Sequence, residues 1–519
     1  MAVNVGGLGV MSFGACQTFG MSVLRRRSSS TGWPRNIRRE PVPSRNGGGP
    51  RALRAVAIGC VALLAIAAAG CSKQDSGDPA KPPSFQGCDK VACTGLLDGV
   101  RYQIRLPKVW NGTLLLYSHG YRAAEPFPSD FAEPRTDAEV AGNDQSADKL
   151  LAAGYALAGS AWASNGYALK EGVKAGEQLY AFFRDRVGKP QRTYVWGESL
   201  GGVVTELLAE RENWVSGALP MCGMLAGTNA NFDLALDVSF AFKTLLDPQL
   251  KLTGFTSYAE AKATWLEIHR TAVKALASGP DKIGRLQLVS ALGNQVWKSR
   301  QHDDATPVSR IQAGMDILFE VMAYNTIGRF DLEQRVGGNP STNVGAGYDR
   351  RISAQEKNEM DAINPGGLAS HLAELVAAKR VAADPAARKA ADELGDPTGK
   401  LKVPTITVHT EYDATAIVQN ETVFGNRALR TSGRTGDLIQ VYTAPPPKYD
   451  RTGAPYGAGN CNFTADERVG SVTSLDRWVR TGIRPSLVDL GIAMRGTSAA
   501  TGFDPMFVPG EWPAEREVK

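Results

Sequence analysis

Ser199 has a glycine two residues to either side, in Trp196-Gly197-Glu198-Ser199-Leu200-Gly201-Gly202. The short run before it, 193–196 (TYVW), reads as a strand, and 203–212 reads as a helix. A serine at a strand-to-helix turn is placed for nucleophilic chemistry. Small residues permit the tight turn that lifts the hydroxyl above a sheet. The helix start then aims amide donors at negative charge developing on a substrate oxygen. Two further segments fall at comparable points. His119-Gly120-Tyr121 closes the apolar run 112–118, and Asp413 lies four residues after the apolar run 403–409. An aspartate there also suits a turn or a helix cap.

The elements that must position these residues alternate. Residues 99–106, 112–118, 155–159, 193–196 and 216–221 read as strands, with helical periods over 144–153, 169–187 and 203–212. This order predicts an α/β fold, a mostly parallel sheet with helices on both faces. From 228 to 395 only helical periods and loops occur, including 232–246, 258–277 and 308–326. Strands resume at 403–409 and 437–442, and 465–481 is the last clear helix. A helical block between two halves of one sheet reads as a large cap. Its apolar residues over 232–246 and 311–323 supply its own core and could line an acyl or aromatic pocket.

On these residues the sequence resembles the α/β-hydrolase superfamily over 88–227 and 396–482, within a core placed at 88–227 and 396–519. The resemblance implies that Ser199 is the nucleophile and Asp413 the triad acid. It implies oxyanion amides from Leu200 and from Gly120 or Tyr121, with His119 structural. The chain order Ser, Asp, His should then close the triad. No histidine follows Asp413: the five are His119, His269, His302, His371 and His409. In the segment Tyr456-Gly457-Ala458-Gly459-Asn460-Cys461, Asn460 stands where secreted members often carry the histidine. An asparagine cannot accept a proton near neutral pH. Loss of one triad member leaves roughly 10³–10⁴-fold catalysis over water from the oxyanion hole and binding.

Three readings follow. His269, His302 or His371 reaches in from the cap as a substitute base, with His409 facing its strand. Or the site runs non-hydrolytic chemistry: elimination, cyclisation or acyl transfer. Or the chain is a binding protein on a hydrolase scaffold. The leading expectation is a serine hydrolase of an ester, thioester or lactone, with an exported peptidase as a third option. The expected partner is a small-molecule or acyl substrate. No phosphate loop, dinucleotide fingerprint or metal-ligand spacing is present, so no cofactor and no metal is expected.

Composition bounds the rest. The 519 residues are 43% hydrophobic and 21% charged, in keeping with a globular chain. The net charge of +5 comes from the N-terminus: residues 1–71 hold nine of the 58 basic residues and one of the 53 acids, leaving 49 and 52. The remainder is near neutral, so no nucleic-acid partner is expected. Ala55–Gly70 is a 16-residue uncharged run behind Arg51 and Arg54, short for a membrane span and suited to an export signal. It ends Ala68-Ala69-Gly70-Cys71, which resembles a bacterial lipobox with Cys71 as the lipidated residue; cleavage after Ala69 is the rival. The divisions expected are an N-terminal extension over 1–50, a lipoprotein-type signal over 51–71 and a polar linker over 72–87. The location is extracytoplasmic, with the membrane reached only through a lipid anchor. Cys16 and Cys60 fall in the discarded segment, and Cys88, Cys93, Cys222 and Cys461 make an even set that suggests two disulfides after export. The short loop suggests Cys88–Cys93. The resemblance suggests Cys222–Cys461, which would pin the Asn460 loop to the sheet.

Overall fold

A computed structural model describes residues 92–125, 134–294, 307–433, 435–444, 459–496 and 502–513. The segments 1–50, 51–71 with Cys71, and 72–87, together with Cys88 and His302, lie outside the described residues.

The chain opens with a hairpin of β1 (Ala92–Leu97) and β2 (Val100–Arg105), turned by Asp98-Gly99 with both φ angles positive. Then come β3 (Thr113–Ser118), α1 (Asp144–Ala152), β4 (Ala156–Ser160), α2 (Leu169–Arg186), β5 (Arg192–Glu198), α3 (Leu200–Arg211) and β6 (Gly217–Met221). A run of helices follows: α4 (Thr228–Leu245), α5 (Tyr258–Leu276), α6 (Pro280–Leu292), α7 (Pro307–Ala323), a π-helical turn (Tyr324–Gly328), α8 (Arg329–Val336), α9 (Ala354–Ile363), α10 (Gly367–Ala377) and α11 (Pro385–Gly395). The sheet resumes with β7 (Thr405–Thr410), α12 (Asn420–Ser432), β8 (Leu438–Thr443), α13 (Ala465–Thr481) and α14 (Leu487–Arg495).

The eight strands lie in the order β1-β2-β4-β3-β5-β6-β7-β8. β2 runs antiparallel to both its neighbours, and every pair from β4 to β8 is parallel. All six residues of β3 are buried, as a strand covered on both faces requires. Alternate side chains feed two layers. Leu114, Leu116 and Val195 pack with α2 and α3 through Leu179, Phe183, Val203 and Leu207. Leu115, Tyr194, Trp196, Leu219, Ile406 and Val408 pack on the other face with Val472, Leu475, Trp478 and Leu490. The inserted helices hold a core of their own around Leu236, Phe242, Trp265, Leu288, Met322 and Leu375.

Register decides where chemistry can gather. Ser118 pairs with Gly197, Glu198 with Met221, and Met221 with Val408. The carboxyl ends of four adjacent strands therefore stand in one row. The loops that follow them, carrying His119–Tyr121, Ser199, Cys222 and Asp413, all leave from one edge, where open α/β sheets place their ligands.

Candidate active site

Ser199 sits between β5 and α3 at φ 56° and ψ −122°, outside the ordinary regions for a side-chain-bearing residue. Its backbone is clamped there, its N–H donating to Met221 O at 2.9 Å and its carbonyl accepting from Gly202 N at 2.9 Å. The surroundings tolerate no side chain at the flanking glycines. A Cβ on Gly201 would fall 2.0 Å from Ser118 O, and one on Gly197 2.5 Å from the same oxygen. Helix α3 starts at Leu200, three residues earlier than its periodicity suggests, because the turn hands directly into the helix. The Leu200 amide opens α3, where the first N–H groups lack acceptors one helical turn back, and the Gly202 amide is taken by Ser199 O.

Strain collects at this edge. Five described non-glycine residues have positive φ, and three of them are Ser199, Cys222 and Cys461. Such conformations cost of order 1–3 kcal/mol each and persist where the surroundings enforce them, most often at functional sites.

The loop after β3 covers the serine. Gly120 packs against Ser199, where an added Cβ would lie 3.4 Å from Ser199 Cβ. The Tyr121 ring packs edge-on against Tyr324 of the π-helical turn, with 5.4 Å between centroids. Ser199, Leu200, Tyr121 and Asn460 line one cavity, together with residues 414–417 of the Asp413 loop. Phe232, Leu234 and Val238 of α4, with Val321, Tyr324 and Asn325, also line it. The inserted helices thus contribute an apolar face over the serine.

Asp413 is 1% exposed. One carboxylate oxygen, Oδ1, accepts from the amides of Thr415 and Ala416, each at 2.9 Å. The other, Oδ2, is buried with no hydrogen-bond partner. Burial pushes the carboxyl up to about 6, against the opposing charge of His409 and the two amides, and the Glu320 carboxylate adds to the rise.

Asn460 lies on the loop before α13. Its Oδ1 rests 2.7 Å from the Cys461 sulfur, which sits in a disulfide and has no proton to donate. Its Nδ2 is buried and unpartnered. The loop is held from two sides. Cys461 is bonded to Cys222 at the end of β6, with 5.6 Å between Cα atoms. Arg468 of α13 donates to both oxygens of Glu198, at 2.5 and 2.8 Å, and to Phe463 O at 2.5 Å. That buried pair ties the residue next to Ser199 to the loop carrying Asn460. Cys93 is also disulfide-bonded, and its expected partner, Cys88, lies outside the described residues.

The four described histidines are engaged elsewhere. His119 stacks on Trp162 with centroids 4.1 Å apart, and its Nδ1 lies 2.7 Å from Gly120 O. Burial, helped by Arg122, lowers its pKa to about 3, so the ring is neutral. His409 is wholly buried, with Nε2 on Ala416 O at 2.7 Å and Nδ1 on Glu421 at 3.2 Å. Burial opposes its charge, but the hydrogen bond and charge of Glu421 outweigh that and raise its pKa. In the inserted block, His371 pairs with Asp281 at 2.8 Å, and His269 packs on Phe319, with burial lowering its pKa. None of these four lines the cavity. Among the described residues no cluster of metal-ligating side chains occurs.

Glu198, Arg468, Glu320 and Tyr324 carry no sequence signal of the places they take around the site. Glu198 and Arg468 are 270 positions apart, and no local pattern joins them. Tyr324 carried a signal only in hindsight, at the end of the helical run 308–326, where five residues take the π form that recurs at functional sites.

The sheet order, the parallel run from β4 to β8 and the strained serine turn after β5 define the α/β-hydrolase superfamily fold. No protein-family model matches the chain, and no curated protein matches it. Solved structures similar to it include an esterase from Aspergillus oryzae, at 13% identity and TM-score 0.37, over 76% of this chain and 80% of that one. Feruloyl esterase B from Aspergillus oryzae matches at 13% identity and TM-score 0.34, over 82% and 88%. The acylaminoacyl peptidase of Pyrococcus horikoshii matches at 10% identity and TM-score 0.31, over 70% of this chain and 37% of that one. The fold assignment rests on the sheet and the serine turn themselves.

Proposed function

We propose that this chain is a serine hydrolase that opens an ester, thioester or lactone held under the inserted helices. The observation that carries the proposal is Ser199, fixed at φ 56° in its turn and lining the same cavity as Leu200, Tyr121 and Asn460. In this reading Ser199 Oγ attacks the carbonyl carbon. The Leu200 amide and that of Gly120 or Tyr121 hold the oxygen as it gains charge. Asp413 supplies negative charge behind the Asn460 position. Helices 228–395 act as the cap that encloses the substrate.

Asn460 favours a second reading, in which the same site binds or polarises a carbonyl without hydrolysis, as a repurposed enzyme or a binding protein. The two are separated by intact-mass labelling with a fluorophosphonate. Hydrolytic competence predicts one adduct per chain, lost in Ser199→Ala and strongly accelerated in Asn460→His. Absence of any adduct in both the parent and Asn460→His would overturn the serine-hydrolase reading.

The proposal includes export and a lipid anchor at Cys71. The Cys222–Cys461 disulfide is in keeping with an oxidising compartment. No helix among the described residues is long and apolar enough to cross a membrane.

A further inference from the structure

Behind residues 414–417, a histidine and a glutamate are buried against each other. His409 lies on β7 and Glu421 in the first turn of α12, and neither side chain is exposed to solvent. His409 Nε2 is 2.7 Å from Ala416 O, and its Nδ1 is 3.2 Å from Glu421 Oε1. A carbonyl oxygen only accepts, so Nε2 carries a proton. Glu421 Oε2 accepts from Thr407 Oγ1 at 2.5 Å and from Gln440 Nε2 at 2.7 Å, which suits a carboxylate. Nδ1 then carries a proton as well, and the pair is an imidazolium facing a carboxylate. Its hold reaches the cavity. The Ala416 carbonyl accepts from His409, while the Ala416 amide donates to Asp413 Oδ1. The segment bonded in this way, residues 414–417, lines the cavity of Ser199.

We propose that His409 and Glu421 are positioning residues: the proton between them pins the Ala416 carbonyl and so fixes residues 414–417 as a wall of the serine cavity. That this cavity seats an acyl substrate rests on the serine-hydrolase reading above. The wall is then held by a group that titrates. A neutral ring keeps one N–H, so one of its two contacts becomes a lone pair facing an oxygen. Glu421 is also left as a buried carboxylate without its cation. Burial opposes the charge on His409, but the hydrogen bond and charge of Glu421 outweigh it and raise the pKa above the usual 6.5. The hold is therefore complete at and below neutral pH and is lost as pH rises through that raised value. Other ionisable groups surround the pair. Asp413, whose charge favours the charged ring, titrates at about 6. Tyr442 lies beside His409 in register on β8, and burial lifts its hydroxyl far above the usual range. Glu206 of α3 is buried, and burial, with Glu210 and Glu421 nearby, raises its carboxyl. Glu411, also buried, lies two residues along from His409.

Hydrogen exchange of the 414–417 segment, read by mass spectrometry from neutral to alkaline pH and corrected for the intrinsic rate, reports the hold. In the parent, protection should stay level at neutral pH and fall roughly 5–150-fold at alkaline pH, the span of one lost buried hydrogen bond. In Glu421→Gln the new amide N–H can donate to Nδ1 of a neutral ring, so protection should persist at alkaline pH. His409→Leu should lack it at every pH. Glu206→Gln and Glu411→Gln should keep the alkaline loss of the parent. The second readout is the fluorophosphonate concentration that half-saturates Ser199 labelling. It should rise with the loss of protection in the parent and stay level in Glu421→Gln. Protection that never falls in the parent, falls equally in Glu421→Gln, or stops falling in Glu206→Gln or Glu411→Gln overturns the proposal. So does a loss of protection that leaves half-saturation where it was. If neither the parent nor Asn460→His is labelled, the serine-hydrolase reading falls, and exchange alone still decides whether the pair holds the wall.

Discussion

The two walls of the cavity have been treated differently. In the proposed function the elbow side, with Gly120, Ser199 and Leu200, supplies the grip on a carbonyl oxygen. Its turn is strained, Gly197 and Gly201 have no room for a Cβ, and its backbone is bonded at both ends. The other side, with Asn460 and residues 414–417, has no described histidine, and Asp413, just before those residues, is buried without lining the cavity. Under the proposed function, charge stabilisation and proton transfer are separable parts of one site, and only the first has its expected residues in place.

Restoring the missing part should have the largest effect. On an activated ester, Asn460→His is expected to raise turnover by ~10²–10⁴-fold, with a rising limb near the pKa of a histidine. A variant no faster than the parent would mean that the elbow wall is not competent either, and the contrast would collapse. Next comes the tie between the walls. Arg468→Ala leaves Glu198 buried without its cation, a change that typically costs ~3–5 kcal/mol. A melting temperature near that of the parent would show that the disulfide alone holds the loop.

Asp413→Asn should act in the other direction. The folded pKa of Asp413, about 6, lies above the ordinary 3.8, so the fold favours the protonated form. The penalty of ionising it is absent at low pH and grows as pH rises through that interval. Asparagine keeps an oxygen for the Thr415 and Ala416 amides. The variant should therefore match the parent near pH 4 and exceed it at pH 7 by up to ~3 kcal/mol in denaturant unfolding. Equal stability at both pH values would mean that Asp413 is not held against its ionisation. The smallest effect belongs to Glu320→Gln. Removing a negative charge that raises the Asp413 pKa should lower its titration midpoint, visible by carboxylate NMR as a downward shift of a fraction of a unit. An upward shift would reverse the inferred sign.

Much of the elbow wall was legible because its signals are local. Apolar strands end in glycine, and the serine turn is a five-residue pattern. The other side was legible as Asp413 following its strand and as an expected histidine replaced by Asn460. What escaped was either irregular or distant. β1 (ACTGLL) has too little alternation to read as a strand. α14 turns Val488 and Ile492 outward, 72% and 69% exposed, while burying Leu490 and Met494, so its pattern mimics neither period cleanly. The Glu198–Arg468 pair and the contribution of Tyr324 to the cavity exist only once the sheet has closed.

The inserted block enters and leaves the sheet domain at one point. The amide of Thr228, at the start of α4, donates to the Asp396 carboxylate, just past the end of α11, at 2.6 Å. Between those two residues the chain makes its whole helical excursion and returns to within a hydrogen bond of where it left. The block is nevertheless keyed into the sheet domain: Leu332, Val336, Ala391 and Leu394 of α8 and α11 pack into the sheet's own core, and Arg335 donates to Glu171 and to Asn165 O. A change of chamber shape that leaves β6 and β7 in register must therefore fall in the helices outside that seam.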